Sequence, residues 1–287
     1  MEMCIIKRIL LSNYEGIGNF IMNTPAFRAI QTLYPTAIFD IHINPKRGTE
    51  FFAEPFGNLY HRITPYSNYD LGVFFFGKHG IKANIKREIL LSFPGRHAFK
   101  IHEVEHYMLV ARKLGYKGET PSMYVPNVIT GYLNGIRGKK ICISIGYLKS
   151  ANKWYKKHFG NANYIKLIKN LLTNNPDYHI ILVGDYLDEA TDGRIITKAC
   201  NHLSNYHTFC GRFSAIKETV GLINECDLMI SNDSGLCHVA SALDKPTIAL
   251  FTPFTNPIKN KPFNKDGHAL MLPSIEEIVI LAKKYLL

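Results

Sequence analysis

The 287-residue chain is predicted to be an α/β protein of two consecutive units, each built around a parallel sheet. Two observations support this. Short apolar, strand-like runs alternate with helical patterns. The alternation also halts in a glycine-rich, basic stretch, Thr130 to Gly138, and then restarts. The expected units are 1–135 and 136–287, with a cleft between them. In open parallel sheets ligands sit outside the carboxyl ends of the strands, so the turns at those ends are the first places to look.

Taken in order, Cys4 to Ser12 is apolar and strand-like, and Asn13-Tyr-Glu-Gly-Ile-Gly18 is a glycine-punctuated turn. A helix follows, with Phe20, Phe27, Ile30 and Tyr34 on one face. Thr24-Pro25 leaves two starts open: Thr24 as a cap with proline at the first position, or a kink in a helix begun near Gly18. Residues 37–43, 60–64 and 71–76 are further strands, and 103–114 is a helix. After the linker come strand 140–145, helix 161–172, strand 179–183, helix 187–202 and a short strand over 206–209. Phe213, Ile216, Val220 and Ile223 share the face of the next helix, which leads to strand 227–230, a polar turn, a short helix and strand 246–251. The last helix opens on Ser274-Ile-Glu-Glu277, a capping box.

A content of 46% hydrophobic and 20% charged residues is that of a folded protein, not a disordered one. The apolar runs are too short to span a bilayer, and no signal-peptide pattern opens the chain. A cytoplasmic protein is expected. The six cysteines (4, 142, 200, 210, 226 and 237) form no C-x-x-C pair or metal spacing and read as reduced core filler. The net charge of +11 stands out, and between Lys78 and Lys117 nine Lys/Arg face only three Glu. No nucleic-acid-binding signature accompanies them. A solvated face and an anion-binding surface both remain open.

The richest stretch is Ile230-Ser-Asn-Asp-Ser-Gly-Leu-Cys-His238, a polar turn between an apolar run and a short helix. It places Asp233, Ser234, Gly235 and Leu236 where free backbone amides and the positive end of a helix dipole favour an anion such as a diphosphate. A plain capped helix start is the competing reading. His238, one turn on, either faces a ligand or is a buried, hydrogen-bonded histidine. Gly16 and Gly18 begin a G-x-G-x-x-G pattern, but Ile21 stands at its third glycine, so the dinucleotide fingerprint fails. The two glycines instead let the backbone approach a substrate.

Three segments carry a resemblance. They are Gly16-Ile-Gly-Asn-Phe-Ile-Met-Asn-Thr-Pro-Ala-Phe-Arg-Ala-Ile30, then Ile141-Cys-Ile-Ser-Ile-Gly146 with Lys153-Trp154, and Ser231 to His238 with Lys245-Pro246 and Phe251-Thr-Pro253. In this order they resemble glycosyltransferase family 9, the heptosyltransferase-like enzymes. The resemblance implies a GT-B architecture, two Rossmann-like domains facing a central cleft, with the last helix (about 274–287) packing back on the first. It implies an inverting transfer of a sugar, heptose or related, from a nucleotide-diphosphate donor to a cell-envelope saccharide or lipopolysaccharide-type acceptor. That acceptor is expected to be an anionic glycan or glycolipid held by the first domain, with the basic segment assisting contact at the inner membrane face.

On the donor side the resemblance implies roles for Gly146, Asp233, Ser234, Gly235, Leu236 and His238, and for Asp188 or Glu189 near the ribose. Lys153 would serve the leaving group. On the acceptor side it implies Gly16, Gly18 and Thr24. With no Asp-x-Asp motif, no metal or other cofactor is expected beyond the nucleotide sugar itself. Asn19 stands where the family usually has the aspartate assigned as base, and an amide accepts no proton at neutral pH. Either Glu15 or another group is the base, or Asn19 only orients the acceptor, or the chain binds without efficient transfer. Asn19→Asp is expected to raise transfer if the site has merely lost its base. A sugar-nucleotide or glycan-binding protein and a GT-B-like epimerase are the alternatives; a nucleic-acid binder is the least favoured.

Overall fold

The computed structural model describes residues 6–46, 48–92, 100–146, 157–173 and 175–286. The chain divides into two compact units, Met1–Pro126 and Asn127–Leu287. The stretch 127–135, expected to close the first unit, belongs to the second. There the Glu225 carboxylate accepts hydrogen bonds from the amides of Thr130, Gly131 and Leu133 at 2.6, 2.7 and 3.2 Å.

In the first unit, β1 (Arg8–Asn13), β2 (Ile38–Ile43), β3 (Asn58–Tyr60), β4 (Asn68–Phe74) and β5 (Asn84–Leu90) form a parallel sheet in the order β3-β2-β1-β4-β5. The order reverses beside β1, the place where such sheets bind ligands. Helix α1 (Ile17–Leu33) follows β1, α2 (Glu50–Ala53) follows β2, and α3 (Glu103–Lys113) packs against α1. From Phe20 to Phe27 every residue of α1 is buried, because this helix lies under α3 as well as on its own sheet.

The ambiguity at Thr24-Pro25 resolves as one continuous helix with Pro25 inside it. Pro25 has no N–H to offer the Ile21 carbonyl four residues back. The Thr24 hydroxyl fills that role, donating to the Ile21 carbonyl at 2.7 Å, and it accepts from the Tyr124 amide at 2.8 Å.

In the second unit, β6 (Lys139–Ser144), β7 (Tyr178–Val183), β8 (Tyr206–Thr208), β9 (Leu228–Asn232), β10 (Thr247–Phe251) and β11 (Gly267–Met271) form a parallel sheet ordered β11-β10-β9-β6-β7-β8. The reversal falls between β6 and β9. The helices are α4 (Asn161–Thr173), α5 (Tyr186–Asp188), α6 (Arg194–Cys200), α7 (Ile216–Asn224), α8 (Gly235–Ala242), α9 (Pro257–Asn260) and α10 (Ile275–Leu286). Ile141, Ile143, Leu167, Ile180, Ile230 and Ile248 form the centre of the core. Helix α10 places Ile278, Ala282 and Leu286 in that same core, and its capping box is present: the Glu277 amide donates to Ser274 Oγ at 3.2 Å, and Ser274 N–H to Glu277 Oε2 at 2.7 Å.

Several elements depart from expectation. The single helix expected over 187–202 is α5, a wider π turn over Glu189–Gly193, and α6. Asp185 and Asp188 form a capping box that starts α5, the Asp185 amide donating to Asp188 Oδ2 at 3.0 Å and the Asp188 amide to Asp185 Oδ1 at 2.8 Å. Strand β5 was not foreseen because it is a polar edge strand with only Ile89 buried. It is held by charge pairs, Lys86 to Asp70 at 2.7 Å and Lys78 to Glu88 at 2.5 Å. Strand β11, also at an edge, is only partly buried and was likewise missed. No described helix is long and apolar enough to cross a membrane. Cys142, Cys200, Cys210, Cys226 and Cys237 are free and buried, as core filler requires.

Candidate functional site

Each unit presents one helix head at its sheet's point of reversal. In the second unit, β9 runs two residues further than expected, so Ser231 and Asn232 belong to the strand and Asp233-Ser234 makes the turn. Asn232 is the buried clamp of this corner. Its Nδ2 donates to the Ile145 carbonyl at the end of β6 (3.2 Å), while Oδ1 accepts from Tyr164 (2.7 Å) and the Phe159 amide (3.2 Å).

Helix α8 then starts with Ser234 as an extended N-cap whose side chain makes no capping bond. The Ser234 hydroxyl pairs instead with Ser231 Oγ at 3.0 Å. Among the described residues, nothing accepts a hydrogen bond from the amides of Ser234, Gly235 or Leu236, and all three residues are half-exposed. Unpaired amides at a helix N-terminus suit an anion.

Asp233 is buried, and its carboxylate is already engaged. Lys157 Nζ lies 2.6 Å from Oδ2, and Asn260 Nδ2 donates to Oδ1 at 3.2 Å. Neither partner was expected. Lys157 sits in a run of like residues, and Asn260 is 27 positions away, so no local pattern marks either. Pairing neutralises Asp233, so the open amides face an anion without an adjacent uncompensated carboxylate. His238 is buried within α8, and the Cys237 thiol beside it is pushed well up by burial, an inert core group.

Gly146 and Asp188 meet. A Cβ at position 146 would stand 2.8 Å from Asp188 Oδ2, and one at Gly184 would stand 2.7 Å from Asp188 Cβ. The glycines therefore make room for a buried carboxylate that closes its own turn. Glu189 lies in the π turn, and its side chain, like Lys153 and Trp154, lies outside what the structure describes.

In the first unit, the turn 13–16 leads from β1 into α1 with Gly16 as an uncapped N-cap and open space where a Cβ would be. The Glu15 amide donates to Asn13 Oδ1 at 3.2 Å. Gly16, Gly18 and Asn19 are half-exposed, whereas Thr24 is fully buried with its hydroxyl used inside the fold. Asn19 Nδ2 donates to Glu103 Oε1 at 3.4 Å, and Tyr107 donates to the same oxygen at 2.9 Å. Glu103 is fully buried as the first residue of α3, whose positive end favours a carboxylate. Burial first, and then the Glu103 charge, push the Tyr107 hydroxyl well above its ordinary range. Glu103 and Tyr107 were not among the expected site residues. An acid in a helix's first turn reads as a start signal, and only packing shows it buried.

Nearby, Tyr14 stacks on His42 (5.0 Å between ring centres) and on His79 (4.8 Å). His42 Nδ1 bonds Ser12 Oγ at 3.0 Å, and burial first, then His79, push its pKa down to about 4. Of the basic cluster, Lys78, Lys86 and Arg112 are paired with Glu88, Asp70 and Glu105, and Arg96 lies outside the described residues. Among the described residues no group of three or more His, Cys, Asp or Glu is placed to hold a metal ion.

Two Rossmann-type parallel sheets, each with an open helix head at its reversal, define a GT-B-like protein. Residues 89–279, well over half the chain, match the model of glycosyltransferase family 9 (heptosyltransferase), and the chain belongs to that family. The second and third of the three motifs lie inside that span; the first, 16–30, lies before it. The lipopolysaccharide heptosyltransferase 2 of Salmonella typhimurium is 33% identical over 124 residues, covering 41% of this chain and 34% of that protein. The matched segment thus spans about a third of the length of the curated relatives. In fold, the chain matches E. coli ADP-heptose lipopolysaccharide heptosyltransferase II with a TM-score of 0.74 at 19% identity, over 98% of each chain. An E. coli heptosyltransferase solved with ADP gives a TM-score of 0.74 at 15% identity, over 97% of this chain and 99% of that one.

Proposed function

We propose that this protein is an inverting, metal-independent glycosyltransferase. It moves a sugar, heptose or related, from a nucleotide diphosphate onto a cell-envelope saccharide of the lipopolysaccharide type. The observation that carries this reading is the set of open amides at Ser234, Gly235 and Leu236 beside a neutralised Asp233.

The leaving diphosphate is assigned to these amides. The α8 dipole contributes about 0.3–1 kcal/mol, up to about 2 when partly buried. Each hydrogen bond to a charged oxygen contributes about 1.5–3 kcal/mol. Lys153 is assigned to the same diphosphate as a point charge, and Asp233 is assigned to the donor-sugar side. With Asp188 committed to its own turn, Glu189 is the ribose candidate. Gly16, Gly18 and Asn19 serve the acceptor, an anionic glycan or glycolipid, and Glu15 is the candidate base. The unpaired remainder of the basic segment, such as Lys82 and Arg87, suits such an acceptor and peripheral contact with the inner membrane face of the cytoplasm. The amide at position 19 also favours a second reading, a sugar-nucleotide-binding protein with little transfer.

Thermal-shift screening against ADP-, UDP- and GDP-sugars tests the donor site, with ADP-heptose first because relatives are solved with ADP and ADP-heptose. The true donor stabilises by about 2.7 kcal/mol at a hundredfold excess over its dissociation constant. Gly235→Pro removes one amide. Proline suits the first helical position, and the extended Ser234 before it is compatible. Donor affinity is expected to fall about tenfold, the equivalent of roughly 1.4 kcal/mol, and Lys153→Ala is expected to blunt the protection. Undiminished affinity in Gly235→Pro sinks the diphosphate assignment. Donor binding without release of the nucleoside diphosphate would leave the binding-only reading.

A further inference from the structure

We infer that Glu103 is a positioning residue that acts through Asn19: it holds the amide so that Asn19 Oδ1 is presented to a hydroxyl of the acceptor. This rests on the transferase reading above. Glu103 Oε1 acts as an acceptor, taking hydrogen bonds from Asn19 and Tyr107. The Asn19 amide must therefore turn its NH2 toward Glu103 Oε1, as it does at 3.4 Å. Its carbonyl is then the end left over, and no hydrogen bond among the described residues engages that Oδ1.

Asn19 is half-exposed in the first turn of α1, next to the open turn at the carboxyl end of β1, while Glu103 has no exposed surface. Among the described residues, Asn19 is what links Glu103 to the half-exposed turn. Tyr107 donates to the same Oε1 at 2.9 Å and keeps the carboxylate in place. A carboxyl group stands at position 103, and an amide at 19, with its NH2 to offer, is the residue that fits beside it. Two carboxylates at that separation would repel, so Asn19→Asp loses stability and does not simply regain a base. Glu15, in the adjoining turn, is the remaining acidic group near Tyr107 and is left free for proton transfer.

The lock is tested first without any ligand, by urea denaturation at neutral pH. Asn19→Asp is expected to lower the midpoint clearly. Glu103→Gln is expected to be near wild type, because its Oε1 still accepts from Asn19 and Tyr107. The double variant Asn19→Asp/Glu103→Gln is expected to recover most of the loss. Equal loss in the single and double variants overturns the lock.

Its role is tested kinetically. ADP-heptose serves as donor, and the acceptor is glycolipid extracted from cells lacking the gene. Glu103→Ala and Asn19→Ala are each expected to raise the acceptor KM or lower kcat about tenfold, with the donor KM unchanged. Their combination should cost no more than either alone, and Glu103→Gln should stay within about threefold of wild type. Additive losses, or equal rises in donor and acceptor KM, overturn the proposal. If the wild-type protein releases no ADP while the denaturation pattern holds, the transferase reading fails and the coupling of residues 19 and 103 stands.

Discussion

The two helix heads are built alike and charged differently. Each follows a central parallel strand, β1 or β9, and starts from an extended N-cap without a side-chain capping bond. At the head of α8 the adjoining carboxylate, Asp233, is paired with Lys157 and held by Asn260. At the head of α1 a buried carboxylate, Glu103, is met by an amide and a phenol, with Glu15 beside them. One corner is therefore left receptive to anions and the other to hydroxyl donors. In the proposed function the same backbone geometry serves two chemistries because the side chains behind it differ.

The contrast breaks most visibly at Lys157. Lys157→Met leaves Asp233 buried beside an amide alone, and removing one partner of a buried pair costs about 3–5 kcal/mol. Urea denaturation measures the loss, and Asp233→Asn in the same background should recover much of it. A loss below about 1 kcal/mol would mean that solvent already screens the pair and that the α8 head is not specially neutralised.

Acid is expected to act on the first unit through His42. Its folded pKa, about 4, lies below the ordinary 6.5. The stability it supports is complete above pH 6.5 and is lost as pH falls toward 4. The loss is on the order of 2 kcal/mol after allowance for partial solvation. Denaturation midpoints across this window should flatten in His42→Asn, whose amide can still bond Ser12. An unchanged slope would assign the acid sensitivity elsewhere.

Thr24→Val tests whether α1 itself is rigid. It removes the hydroxyl that covers the Ile21 carbonyl and leaves the Tyr124 amide without its acceptor. A cost of about 1–3 kcal/mol is expected, with donor affinity unchanged. The smallest expected effect is ionic. Acceptor binding should weaken modestly as salt rises, while donor binding at the α8 head, held by short-range hydrogen bonds to backbone amides, should change less. Matching salt slopes for the two ligands would erase the distinction.

Much of the second unit was legible before folding. Strands β6, β7 and β10 and the capping box of α10 lie where periodicity and local chemistry put them. The α8 head was legible as well, since whether a turn carries open amides depends on residues that are neighbours in the chain. Strand β5 was hidden because Lys86, Arg87 and Glu88 read as a solvated loop, and its pairing is decided by β4. The expected helix 187–202 missed its break because the wider turn over Glu189–Gly193 leaves no mark in the spacing of apolar residues.

The sequence by itself determined the alternation of strand and helix, the two units and the order of the family's motifs, because each depends on spacing within a few residues. Only the tertiary structure decided which charges are buried and what they meet. Asn19 and Glu103 are 84 positions apart, and Lys157 and Asp233 are 76. Burial belongs to whatever packs over a residue, and hydrogen-bond partners are chosen by the sheet order that brings distant strand ends together.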